Sequence, residues 1–144
     1  MSTYKTLNDL DLELMPRRQR GRLVNALSGF KSVNLVGTTN DAGVHNLSIV
    51  SSVVHLGSDP ALLGMVMRPP VDRERGSHTY WNIRETGSYT INHVSATHTV
   101  QAHPVSARYP EETSEFDAVG FTPIYRCGFD APAVEESPVR IGLE

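Results

Sequence analysis

The chain has 144 residues, long enough for one domain with a core of its own. A formal charge of −3 with 39% hydrophobic and 20% charged residues is ordinary globular composition, and it argues against a general nucleic-acid or membrane-surface role. The single cysteine, Cys127, excludes an internal disulfide and a multi-cysteine metal site.

No run approaches the ~18 apolar residues of a membrane helix. The N-terminus has no apolar segment of signal-peptide length, so the sequence predicts a soluble cytoplasmic protein. Residues 1–16 alternate leucines with acidic residues and end at Pro16. They read as an irregular N-terminal arm ahead of one domain over 17–144. Leu23, Val24 and Leu27 have helical spacing within 17–30, and Gly29 is a stop signal. Arg17, Arg18, Arg20 and Arg22 open that helix. They read either as a solvated face or, because they oppose the helix dipole, as the mark of an anionic partner.

Residues 32–39 read as a strand, 40–43 as a tight turn with Gly43 suited to positive φ, and 44–54 as the returning strand. A second turn over 57–60 leads to a third strand, 61–68, stopped by Pro69 and Pro70. These short connections predict an antiparallel meander. A helix starting near Ser77 closes at Gly87, and a fourth strand covers 88–94. Residues 95–109 read as a short helix broken at Pro104, and 110–134 mostly as loop. Residues 139–144 begin a further strand in which the sequence ends. The elements predict a small β-barrel with peripheral helices, mainly β, whose final strand leaves an open edge; either another chain covers that edge or a C-terminal portion with the last strands is missing from this sequence.

Two stretches carry candidate chemistry. In 44–54, Ser48 and Ser52 share one face of an ideal strand while Ser51 faces the other way; a bulge would bring Ser51 and Ser52 together. This is either an edge strand with polar residues outward or a wall of hydroxyls facing the heteroatoms of a flat ring. In 68–79, Arg68, Arg73, Arg75 and His78 precede or open the helix, and Ser77 and Thr79 are N-cap candidates. Free amides, dipole and guanidinium groups at such a helix start suit a phosphate. The plainer reading is a capped helix with solvated arginines, and Glu74 weakens the cluster. A ring wall beside a phosphate cradle matches flavin mononucleotide, FMN.

The remaining signals are weaker. His93, His98 and His103 are five apart, which scatters them over a helix, so no metal site is expected. His93 would either flank a cofactor or be a partly buried, hydrogen-bonded histidine. No nucleophile elbow, P-loop or dinucleotide fingerprint is present, so no catalytic side chain is assigned.

The sequence resembles the flavin reductase-like proteins with an FMN-binding split barrel, near their flavoredoxin branch. The matching segments are 25–32 (Asn-Ala-Leu-Ser-Gly-Phe-Lys-Ser), 46–57 (Asn-Leu-Ser-Ile-Val-Ser-Ser-Val-Val-His-Leu-Gly) and 68–70 (Arg-Pro-Pro). Three more are 78–83 (His-Thr-Tyr-Trp-Asn-Ile), 89–93 (Tyr-Thr-Ile-Asn-His) and 114–116 (Ser-Glu-Phe). The resemblance implies an antiparallel, Greek-key split barrel and a homodimer with FMN near the interface. It implies that Asn46, Ser48, Ser51 and Ser52 meet the ring or ribityl chain, and that Arg68, Ser77, His78 and Thr79 gather at the phosphate. It also implies hydride transfer from NADH or NADPH to the flavin, or, as the alternative, an electron carrier that serves a partner protein. Family members continue beyond the length seen here.

Overall fold

The computed structural model describes residues 6–68, 70 and 77–144. The chain divides into two compact units, Met1–Lys31 and Ser32–Glu144. In the first unit the expected irregular arm contains a helix, α1 (Asp9–Leu14). Its start is fixed by a capping box: Asn8 Oδ1 accepts from the Asp11 amide, and the Asp11 carboxylate accepts from the Asn8 amide. The helix α2 (Arg17–Leu27) follows as expected. Arg20 donates to the Leu12 and Glu13 carbonyls at 3.1 and 3.2 Å, so this arginine satisfies the open C-terminus of α1.

The second unit is built on antiparallel strands. The hairpin of β1 (Asn34–Thr39) and β2 (His45–Val50) forms as predicted. Asn40 Oδ1 accepts from the Ala42 and Val44 amides, and Gly43 takes a φ of 80°, so the turn residues supply the reversal themselves. The meander expected next is replaced by a break. The strand predicted over 44–54 stops at Val50, and β3 (Val53–Ser58) pairs with β4 (Ala61–Met65) in a separate two-stranded sheet. The turn lies at Asp59–Pro60, because β3 runs on to Ser58.

Helix α3 (His78–Thr86) begins after Ser77 and ends at Gly87, φ 74°, as read from the sequence. Strand β5 (Tyr89–His93) pairs with the other side of β1. The short helix α4 (Thr99–Ala102) is flanked by 3-10 turns, the second containing Pro104. The region expected to be mostly loop instead forms α5 (Glu115–Val119) and a hairpin of β6 (Pro123–Arg126) and β7 (Phe129–Val134). Strand β8 (Arg140–Leu143) completes a sheet ordered β2-β1-β5-β8.

The core lies between β1, β2 and the elements after β5: Leu35 and Leu47 pack with Ala102, Val105, Phe116, Phe121 and Val134. A polar stitch ties β7 to the sheet. Asn92 Nδ2 donates to the Leu35 carbonyl and to Thr90 Oγ1, and its Oδ1 accepts from the Val134 amide. Thr90 Oγ1 donates to the Pro132 carbonyl at 2.6 Å. β7 comes so near β1 there that a side chain at Gly37 would run into the Pro132 carbonyl. Among the described residues no helix is long and apolar enough to cross a membrane.

Candidate functional site

Alternation along β1 and β2 puts Asn34, Val36 and Thr38 on one face with Asn46, Ser48 and Val50. Helix α3 covers that face through hydrogen bonds. Asn46 Nδ2 donates to Thr79 Oγ1 at 2.9 Å and to Thr38 Oγ1 at 3.2 Å, and Asn82 Nδ2 donates to Thr38 Oγ1 at 3.1 Å. Thr79 and Asn82 face the sheet together because they are three apart on the helix. The structure therefore joins two sequence-predicted residues, Asn46 and Thr79. They are 7% and 1% exposed, so they anchor the helix rather than face solvent.

The remaining candidates stand around this joint. Ser48 Oγ is buried and makes no hydrogen bond. Ser51 is exposed in the gap between β2 and β3. Ser52 Oγ donates to the Val66 carbonyl at 2.8 Å, and the Ser52 carbonyl accepts from the Val66 amide. That closure brings Ser51 and Ser52 beside the segment leading to the exposed Arg68. Ser77 caps α3 by position yet its hydroxyl makes no capping bond. It is exposed, and His78 is half-buried behind it. Arg73 and Arg75 lie outside the described residues.

His93 is placed apart from the helix start. It shares a cross-strand row with Asn34 and Val50, while Asn46 pairs with Thr38 at the other end of β2. Four residues of strand separate those rows, about 13 Å. The His93 main chain is held by β8 and its approach: its amide donates to the Val139 carbonyl and its carbonyl accepts from Ser137 Oγ. Ser51, just past Val50, lies toward the same end as His93. Ser51 therefore stands at one end of β2, and the α3 start, bonded through Thr79 to Asn46, stands at the other.

No local pattern in the sequence marks Glu115. Its Oε2 accepts from the Leu47 amide at 3.0 Å, and the residue is 7% exposed. β2 is the outermost strand of its sheet, so this carboxylate takes a place where a further strand would pair. Burial holds the carboxyl above the usual carboxylate range; the Leu47 amide, its own amide and the charge of His78 oppose that shift without cancelling it. Glu115 thus stabilises the fold in its protonated form. That contribution is complete below the unfolded titration, near pH ~4, and fades as pH rises through the folded one. Glu115→Gln keeps an acceptor and has no proton to lose. Its melting temperature is expected to gain on wild type as pH rises from about 4 to 7, by roughly 1.4 kcal/mol per tenfold weakening of the acid. Parallel thermal melts check this; a gap that does not vary with pH would show that Glu115 is not strained by its burial.

The family model for the flavin reductase like domain matches residues 27–144.

The chain belongs to the flavin reductase-like family.

A split barrel domain structure of flavin reductase type from Shewanella frigidimarina is 47% identical, with a TM-score of 0.88 over 96% of this chain and 67% of that one. Flavoredoxin of Desulfovibrio vulgaris is 26% identical, with a TM-score of 0.68 over 78% of this chain and 58% of that one. The FMN-binding domain of a flavin reductases-like enzyme from Shewanella baltica shares the fold at 18% identity and a TM-score of 0.63, covering 78% of this chain and 56% of that one. No curated protein matches. The expected split barrel is therefore the fold of this flavin reductase-like chain, and family membership places it among flavin-related oxidoreductases.

Proposed function

We propose that the chain binds FMN and transfers hydride from NADH or NADPH to it. The observation that carries this reading is the start of α3. Ser77 occupies the N-cap with an unspent hydroxyl, the helix start is anchored to the sheet through Thr79 and Asn46, and Arg68 closes the preceding strand segment exposed. Unspent donors at an anchored helix start suit a phosphate. The hydroxyl of Ser51 and the unpartnered Oγ of Ser48 are the donors left for the ring end.

When bound, the flavin supplies the redox chemistry at its N5 position. The chain's own part is to bind, orient and shield, since hydride transfer needs no side-chain acid or base. Ser77, His78 and Arg68 hold the anionic end, and the Ser51–Ser52 gap fixes the ring end. A homodimer completes the proposal, supported by Val54, Leu56 and Leu62, which the β3–β4 hairpin leaves exposed. A cytoplasmic location fits a nicotinamide donor.

Arg68→Ala is expected to weaken FMN binding about 10- to 100-fold, the scale of one charge-assisted hydrogen bond. Riboflavin lacks the phosphate, so its affinity should stay within about twofold. Flavin fluorescence titrations with both ligands test this. Equal losses for the two would move Arg68 away from the phosphate. Oxidation of NADH or NADPH by the FMN-loaded protein then separates a reductase from an electron carrier reduced by a partner protein.

A further inference from the structure

We propose that the cavity between the β6–β7 hairpin and the β5–β8 edge of the sheet binds a small aromatic carboxylate. Cross-strand pairing sets Thr90 opposite Gly142 and Asn92 opposite Arg140, so these four positions share one face. It is the face away from α3, because Asn34 and Val36, on the α3 side, pair with His93 and Ile91. β7 is docked there by the Thr90 and Asn92 hydrogen bonds. The hairpin presents Ile124 opposite Ala133 and Arg126 opposite Phe129, with Ala131 between them along β7. The two walls leave a cavity of about 250 Å³. It shares no residue with the proposed flavin contacts, and its occupancy does not depend on them.

The lining has the make-up of a ligand site: apolar walls with a few polar groups placed at one end. Ala131 and Ala133 are buried, and Phe129 and Ile124 are half-buried. The short alanine side chains create the space. Gly142 adds none of its own to fill it, and a Cβ there would meet the Phe129 ring at 3.1 Å. A dry cavity of about 150 Å³ is enough for a benzene ring, so this one has room for a ring and a charged group beside it. The ring of Phe129 is a partner for an aromatic ligand.

The charged group is set by Arg126 and Arg140, both exposed, one on each wall. Arg140 spends one N–H on the Glu135 carbonyl at 3.3 Å. Among the described residues the Arg126 guanidinium has no hydrogen-bond partner, and no carboxylate forms an ion pair with either arginine. No acidic residue lines the cavity. Two unpaired like charges beside one cavity oppose each other, and an anion between them turns that opposition into attraction. A planar carboxylate matches the guanidinium fork, while the apolar walls exclude a purely polar anion from the interior.

The test titrates the full chain with benzoate, benzamide and acetate, following the backbone amide resonances by NMR. Benzoate is expected to shift the Ala131, Ala133 and Gly142 amides and to saturate with a dissociation constant on the order of 1 mM, a range open to a ligand of this size. Benzamide lacks the charge and acetate the ring, so each should bind at least about tenfold more weakly. Arg126→Gln and Arg140→Gln should each weaken benzoate about tenfold, the lower end for a charge-assisted hydrogen bond, and leave benzamide within about twofold. Both arginines are exposed, so the variants should melt close to wild type. Absence of shifts at millimolar benzoate would overturn the proposal, as when another protein segment fills the cavity. Shifts confined to other residues, equal binding of benzoate and benzamide, equal binding of benzoate and acetate, or unchanged benzoate affinity in both arginine variants would overturn it too.

Discussion

Phe116→Ala is expected to destabilise the second unit by about 3–5 kcal/mol, with a fall in melting temperature of more than about 10 °C. Phe116 is 0% exposed and heads the fully buried side chains by volume. It packs with Leu35 and Leu47 from the sheet and Val105 and Val134 from the elements beyond, and its ring meets the edge of His45. Truncation removes apolar contact and leaves a cavity that strands fixed by hydrogen bonds on both sides cannot close. Since Phe116 follows Glu115 on α5, the loss should reach the candidate site as well. Urea denaturation of wild type and variant measures it. A loss under about 1 kcal/mol would mean that α5 does not anchor the core in this way.

Asn92→Ala is expected to cost about 3 kcal/mol, although it lies in a strand where alanine fits sterically. The side chain is 0% exposed and makes a hydrogen bond with each of three partners. Its loss strands the Val134 amide and deprives the Leu35 carbonyl and Thr90 of a donor in a region closed to water. Stranded buried groups cost about 1–3 kcal/mol each, offset in part if water enters. The neighbouring His93 is exposed, and His93→Ala should change stability by no more than about 0.5 kcal/mol. Equal effects at 92 and 93 would remove the argument that the Asn92 network docks β7 on the sheet.

Those two residues also show what the sequence could reveal. The β1–β2 hairpin and α3 were legible because their ends carry their own chemistry: Asn40 and Gly43 for the turn, Ser77 and Gly87 for the helix. The break after Val50 was hidden, since Ser51 and Ser52 interrupt an otherwise continuous strand pattern without a glycine or proline. The β6–β7 hairpin was hidden for the opposite reason. Pro123, Gly128 and Pro132 signal loop, and the structure tolerates Pro132 because β7 belongs to a two-stranded sheet and has one edge without a strand partner.

The candidate site was half legible. Serines 48, 51 and 52 and the Ser77–Thr79 start stood out as local patterns. Their linkage did not, because it runs through pairs far apart in the chain: Asn46 to Thr79, Asn82 to Thr38, and Glu115 to Leu47. Asn82 and Glu115 sat inside segments carrying the family resemblance, yet nothing local distinguishes an anchoring amide or a buried carboxylate from a solvated one. Thr79, expected at the phosphate, is buried and its Oγ1 accepts from Asn46, while Ser77, His78 and Arg68 are the more exposed members of that set.

The central claim is that these elements form a flavin site, and a visible difference spectrum of FMN titrated with the purified protein tests it most directly. The account predicts a saturable perturbation of the flavin bands that reaches one FMN per chain. A spectrum that stays that of free FMN at every protein concentration would contradict it.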